Sequence, residues 1–389
     1  MFQLNQFRAQ NVHLLYKAFA AWQWFNYCTT QAPEGKVLLK INLDETSICL
    51  FQGEGKGNIL LSKKRPLEGE AVQRIPHSRR RMCLTHVAFV CDRPELQHLM
   101  PQIVVGNESI LPARAMTALR ATLPANVRLI RQKSSWNNSM LCAIIVRILA
   151  LALRPHRDRF QPVLLLDTVR LHFAQVVLNA CNNCGIWPLL VPAKTAWFLQ
   201  PLDTHVFRAF KCRLRKAYQR ARIQAAAHDL TIEQFMPCLL DTIRLTIDGR
   251  DWSFAFGENG FGNSQADVKE SIKRALAVEG PLSIPSSRPT HEQLQAIFPR
   301  RTTIPTATLW KPFDPPVLCA PRSLSASSRP AGLALPGAGC LALGRARSST
   351  QHLQQAQAAA SSSVAAAEAV PRVARGYRLG PPRATVEGE

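Results

Sequence analysis

Short continuous apolar runs recur along this chain, and two of them stop on an aspartate: residues 37–46 read VLLKINLDET and residues 162–167 read PVLLLD. A run without polar alternation fits a strand covered on both faces, and the polar residue that ends it marks where the strand leaves the core. Residues 37–45 are read as one strand and TSICLF (46–51) as a second. A Gly- and Lys-rich turn, QGEGKGN, and a basic loop ending at Arg79, Arg80 and Arg81 follow, which together predict a hairpin with a cationic excursion. THVAFVCD (85–92) and QIVVG (102–106) predict further strands. Residues 137–153 (NNSMLCAIIVRILALAL) are helix-length and nearly all apolar, as suits a helix buried against a sheet. Strand (PVLLLD), helix (HFAQVVLNACNNCG), strand (WPLLVPA) and a basic helix from about Thr204 to Arg222 come next. This alternation predicts an α/β fold.

The flanking regions differ in character. Residues 1–35 carry Phe7, Tyr16, Phe19, Trp22, Trp24, Phe25 and Tyr27 and read as a helical lead-in packed on the core. Residues 223–300 read as a helical extension, interrupted by DWSFAFGENGFGN (251–263) as a Gly-rich turn. In 301–389 the composition shifts to Ala, Pro, Ser, Gly and Arg with few large apolar residues, which predicts a disordered C-terminal tail.

The chain has 389 residues, 47% of them hydrophobic, enough to build a sizeable core. A formal charge of +22 and a pI near 10.2 point to a polyanionic partner, nucleic acid before an anionic membrane. No run of eighteen or more residues is read as uninterruptedly apolar, so no membrane span is expected. The 11 cysteines are odd in number and scattered through apolar segments, against a disulfide framework. Cys181 and Cys184 form a lone CxxC, which reads more readily as the end of a helix capped near Gly185 than as a zinc site.

The candidate chemistry rests on Asp44, Asp167 and Asp203, placed at a strand end, a strand end and a helix start. Singly, each also reads as a turn or helix cap. Together they form the donor set that phosphodiester cleavage needs, because carboxylates are hard ligands for a pair of Mg or Mn ions about 4 Å apart. Glu45 adjoins Asp44, but neighbouring strand residues point to opposite faces, so only one of the two is expected to reach the metals. Arg208, Lys211, Arg213, Arg215 and Lys216 follow Asp203 on the basic helix and read either as a phosphate-binding surface or as a solvated face. Lys63, Lys64 and Arg65, with Arg79–Arg81, read as a DNA clamp or a nuclear-import signal. Trp136 and Trp197 have polar neighbours and are offered as base-stacking residues, with core packing the stronger expectation for each.

The blocks DETSICLF, LLLDTVRLH and LVPAKTAWFLQPLDTHVFRAFK resemble the three catalytic blocks of DDE-superfamily endonucleases, the transposase domains of the pogo, Tigger and mariner kind. The third block is the most specific, with Pro192, Gln200, Pro201, Leu202, Asp203, Phe207 and Lys211 at the family positions. The resemblance covers roughly residues 36–222. It implies an RNase H-like mixed sheet flanked by helices, catalysis by Asp44, Asp167 and Asp203 with two Mg or Mn ions, an auxiliary role for His172, cleavage and joining of DNA, a homodimer, and residence in the nucleus. Thr168 stands where the family usually has Asn, and the residues before Lys36 are fewer than the usual DNA-reading region needs. Three readings therefore stay open: an active transposase-derived endonuclease, a catalytically silent nucleic-acid-binding derivative that keeps the fold, and a different RNase H-like nuclease acting on RNA or junctions, which the Gln200–Asp203 block disfavours.

Overall fold

Strands β1 (Val37–Cys49), β2 (Cys83–Cys91), β3 (Gln102–Asn107), β4 (Val127–Gln132), β5 (Phe160–Asp167) and β6 (Trp187–Val191) form one sheet in the order β4-β3-β2-β1-β5-β6. The computed structural model describes residues 2–50, 83–227, 229–262, 268–278, 280, 282–298 and 311–316, with side chains from residue 12 onward. Strand β2 is antiparallel to β1 and β3, whereas β3 with β4, β1 with β5, and β5 with β6 run parallel. A central β1 lies between an antiparallel β2 and a parallel β5 in a mixed α/β sheet flanked by helices, the strand arrangement expected of an RNase H-like sheet. Here β4 extends one edge. The tail expected in 301–389 lies outside the described residues except for 311–316.

The central strands explain the apolar runs. From Phe160 to Leu166 every residue of β5 is buried, and only Asp167 begins to emerge. In β1 the buried run gives way at Glu45 to strict alternation, with Thr46 and Ile48 inward and Ser47 and Cys49 outward. The separate strand expected at TSICLF is therefore the continuation of β1. The polar residues Asp44, Glu45 and Thr46 mark loss of cover on one face, and the backbone pairing continues to Cys49 opposite Cys83. Lys40, a charge within the same strand, is buried but satisfied: it forms an ion pair of 3.0 Å with Asp92, whose other oxygen accepts the Lys40 N–H at 2.9 Å. Removing one partner of such a buried pair costs about 3–5 kcal/mol.

Helices α1 (Phe2–Thr30), α2 (Ala113–Arg120), α3 (Ser139–Leu153), α4 (Gln175–Cys184), α5 (Phe207–Gln224) and α6 (Ile232–Ile243) surround this sheet. Asn138 caps α3 by accepting the Leu141 N–H at 2.9 Å. With its continuation to His156, α3 is long and apolar enough to cross a membrane by length and composition alone, contrary to the expectation that no such stretch exists. Its Ile145, Val146, Leu149 and Leu153 are buried in the core, each such side chain contributing about 1.5–3 kcal/mol. Strand β4 and helix α2 had no counterpart in the sequence reading. VRLIRQ is an edge strand whose outer positions face solvent, so its apolar signal is short and mixed.

The segment 251–263, expected as a Gly-rich turn, instead forms a helical turn (Ser253–Phe256) and a wide π-type turn (Gly257–Phe261). Phe256 and Phe261 are buried, and Phe261 meets Phe25 of α1 edge to face at 5.4 Å between ring centres. The Trp22 indole N–H donates to the Asn259 carbonyl at 2.9 Å. Gly260 has φ +86°, and a Cβ there would lie 2.2 Å from the Trp22 indole nitrogen. Gly260→Ala is expected to destabilise the protein by about 2 kcal/mol or more through backbone strain and displacement of Trp22. Urea denaturation measures this, and an unchanged midpoint would contradict the packing.

Candidate active site

The site begins with a polar residue inside an apolar strand. Asn42 is fully buried in β1, and in the parallel pairing with β5 it stands opposite Leu165. Its side-chain amide donates to the Leu165 carbonyl and to the Gln200 side-chain oxygen, each at 3.3 Å, and its oxygen accepts the Leu202 N–H at 2.9 Å. One side chain thus ties β1 to β5 and to the turn that begins at Gln200. Two residues beyond the paired Asn42 and Leu165 come Asp44 and Asp167, on the same side of the sheet by the two-residue period of strands. One residue beyond Leu202 comes Asp203, in the wide turn Leu202–Val206 that leads into α5.

The electrostatics follow from this convergence. Burial raises the Asp44 carboxyl well above the usual range, the charges of Asp203, Asp167 and Glu45 push the same way, and a 2.8 Å hydrogen bond from the Glu45 N–H opposes them. Asp203 is also raised, by partial burial and by Asp167, against the pull of the Lys211 ammonium. These carboxylates therefore repel one another where β1, β5 and the Gln200–Asp203 turn meet.

His172 is fully buried. Its Nδ1 is hydrogen-bonded to Asp167 and its Nε2 lies 3.2 Å from Glu45. Burial alone would lower its pKa, but the hydrogen bonds to Asp167 and Glu45 prevail and hold it up to about 10. Glu45 further accepts from the Asn137 side-chain amide at 2.5 Å. The second acid of the Asp44–Glu45 pair thus has a task of its own: it completes a Glu45–His172–Asp167 chain that fixes the Asp167 carboxylate.

The residues fit a hard divalent cation by donor chemistry, since Asp44, Asp167 and Asp203 offer oxygen donors whose repulsion a cation would relieve. Among the described residues, no three His, Cys, Asp or Glu side chains form a ready-made metal cage. Cys181 and Cys184 are both buried in α4, which ends at Gly185 in the left-handed conformation (φ +68°), so this CxxC is a capped helix end.

Of the cationic residues, Arg208, Lys211, Arg215 and Lys216 stand exposed on the outer face of α5, while Phe207, Phe210, Leu214 and Tyr218 bury the opposite face. Arg213 differs: it is half-buried and donates to the Leu245 carbonyl at 3.1 Å, holding α5 to the segment after α6. Trp136 and Trp197 are 70% and 53% exposed, which overturns core packing for both. Lys63–Arg65 and Arg79–Arg81 lie outside the described residues. The sequence reading gave no role to Asn42 and assigned Gln200 only a motif position. A buried-strand Asn flanked by Ile41 and Leu43 was the available signal.

Residues 86–251 match the family described as DDE superfamily endonuclease. The matched span holds Asp167 and Asp203, while Asp44 precedes it on β1. Among solved structures, the Mos1 transposase paired-end complex with left transposon end is similar over 62% of this chain and 63% of that chain, at 12% identity and a TM-score of 0.30, a likeness too loose to add to the argument. The chain spans less than two thirds of that protein's length. No curated protein matches it.

Asp44→Asn keeps the acceptor for the Glu45 N–H and removes a buried charge that Asp203 and Asp167 repel. It is expected to stabilise the fold by about 1–3 kcal/mol at neutral pH without added metal. Thermal unfolding of the variant beside wild type checks this, and a lower melting temperature would refute the mutual repulsion.

Proposed function

We propose that residues 36–222 form a catalytic unit that cleaves DNA phosphodiester bonds, with Asp44, Asp167 and Asp203 holding two Mg or Mn ions. The observation that carries the reading is the placement of these three acids one or two residues beyond the points where Asn42 binds β1 to β5 and to the Gln200–Asp203 turn. Bound ions would activate the attacking water and neutralise charge on the leaving oxygen. The protein's own contribution is placement. Asn42 fixes the separation of the three acids, the Glu45–His172 pair orients Asp167, and Lys211 lies close enough to Asp203 to offset its charge. Water attacks phosphorus, the bond from phosphorus to the 3′ oxygen breaks, and a 3′-hydroxyl and a 5′-phosphate remain. In the same proposal the 3′-hydroxyl then attacks a second duplex, two copies of the chain pair the DNA ends, and the protein acts in the nucleus.

The exposed cations of α5 supply the DNA contact, because Asp203 lies in the turn that opens that helix and Arg208, Lys211, Arg215 and Lys216 continue from it on one face. Phosphate neutralisation by such residues is sequence-independent and salt-dependent.

Wild-type protein is expected to nick supercoiled plasmid with Mg or Mn and not with EDTA, and Asp167→Asn is expected to lose this activity by a hundredfold or more while its circular dichroism is unchanged. Equal nicking by the variant would refute the assignment. DNA binding with no cleavage by either protein would establish the silent DNA-binding derivative instead.

Lys211→Glu combined with Arg215→Glu is expected to weaken binding to duplexes of unrelated sequence alike and to flatten the plot of log affinity against log salt by about two units. Fluorescence anisotropy at several salt concentrations reads both effects, and an unchanged slope would remove α5 from the interface.

A further inference from the structure

We infer that Cys49 and Cys83 form an oxidative modification site, a thiol pair that closes to a cross-strand disulfide on reaction with peroxide. Three observations converge on it. The two residues are direct partners in the antiparallel β1–β2 register, at the last position of β1 and the first of β2. Their sulfurs lie 3.2 Å apart in a thiol–thiol hydrogen bond. Cys49 is exposed and Cys83 half-buried, so an oxidant reaches the pair from solvent; Cys28, Cys91, Cys142, Cys181 and Cys184 are buried, and Cys212 and Cys238 are exposed and half-buried but are not paired in this way in the register.

The backbone geometry permits the bond. Directly opposed residues of an antiparallel pair have Cα atoms roughly 4.5–5.5 Å apart, inside the roughly 4.4–6.8 Å range that disulfides span. Closure needs only the sulfurs to draw together by side-chain rotation, with the strand register unchanged. Burial, the Cys83 hydrogen bond and the neighbouring Cys83 charge push the Cys49 thiol up to about 11, and the nearby Lys211 ammonium pulls the other way. Cys49 therefore rests as a thiol at neutral pH, and the nearness of the two sulfurs and the exposure of the pair are what favour closure.

The chemistry balances with hydrogen peroxide as the two-electron oxidant. One thiol loses its proton and the thiolate attacks peroxide; the O–O bond breaks, a sulfenic acid forms, and the departing hydroxide takes up that proton as water. The second thiol likewise gives up its proton and attacks the sulfenic sulfur; the S–S bond forms, the S–O bond breaks, and the hydroxide that leaves takes up the proton as a second water. Two thiols and one peroxide become one disulfide and two waters.

The position gives the bond a consequence. It would clamp β1 to β2 beyond Asp44 and close the segment from residue 50 to residue 82 into a covalent loop, which removes entropy from the unfolded chain. Oxidation is therefore expected to stabilise the fold that carries the carboxylates.

The test uses the full-length protein, reduced, desalted and treated with a small excess of hydrogen peroxide, then alkylated and digested without reductant. Mass spectrometry is expected to show a Cys49–Cys83 linked peptide that dithiothreitol abolishes, with a melting temperature several degrees higher after oxidation. Cys83→Ser and Cys49→Ser should each fold, lose the linked peptide and lose the oxidation-dependent shift. Recovery of both cysteines as alkylated thiols, or linkage of either to a different cysteine in preference, would overturn the proposal, as would conversion of Cys49 to a sulfinic acid with Cys83 left free.

Discussion

The structure around the candidate site depends on one buried amide. Asn42 sits within a strand whose neighbours Leu39, Ile41 and Leu43 are all fully buried, where a polar side chain costs free energy unless its donors and acceptor are matched. Its partners are a carbonyl of β5, the side chain of Gln200 and the backbone of Leu202, so a single satisfied group joins three chain segments distant in sequence. Each segment carries one of the three aspartates a residue or two further along. Hydrogen bonds in a dry interior are directional and expensive to leave unmade, which makes such a joint more exacting than apolar contact alone.

That exactness sets up a conflict in the site itself. Asp44 is held nearly dry and close enough to Asp203, Asp167 and Glu45 for their charges to raise its carboxyl. A fold selected for stability alone would not converge carboxylates at the end of its central strands, and local destabilisation of this kind is common where function demands it. The molecule moderates the conflict on one side, since His172 stands between Asp167 and Glu45 and hydrogen-bonds to both. On the other side Lys211 approaches Asp203 from the first turns of α5.

The distribution of charge on α5 separates two kinds of arginine that composition treats alike. Arg213 reaches back to the Leu245 carbonyl and acts in the packing of α5. Arg208, Lys211, Arg215 and Lys216 project from the exposed face beside the acidic cluster. In the proposed reading, positive charge next to the carboxylates would draw a polyanion toward them, so that attraction and chemistry share one surface.

The sequence by itself determined the α/β class, the central strands and the position of Asp167 at a strand end, because covered strands must be apolar until they emerge and β5 obeys this up to Asp167. It also made the Gln200–Asp203 block legible, since those residues recur in a family pattern. Tertiary structure decided the rest. The continuation of β1 through Cys49 depended on pairing with β2, which the polar residues Asp44–Thr46 concealed. The edge strand β4 is half solvated and so lacks a strong apolar signature. The packing of Asn259 and Phe261 depended on α1, distant in sequence, whose Trp22 and Phe25 supply their partners. The roles of Asn42, Glu45 and His172 were of the same kind: each hydrogen-bonds to groups brought near only by folding, and a sequence pattern records which side chains are present, not which of them meet.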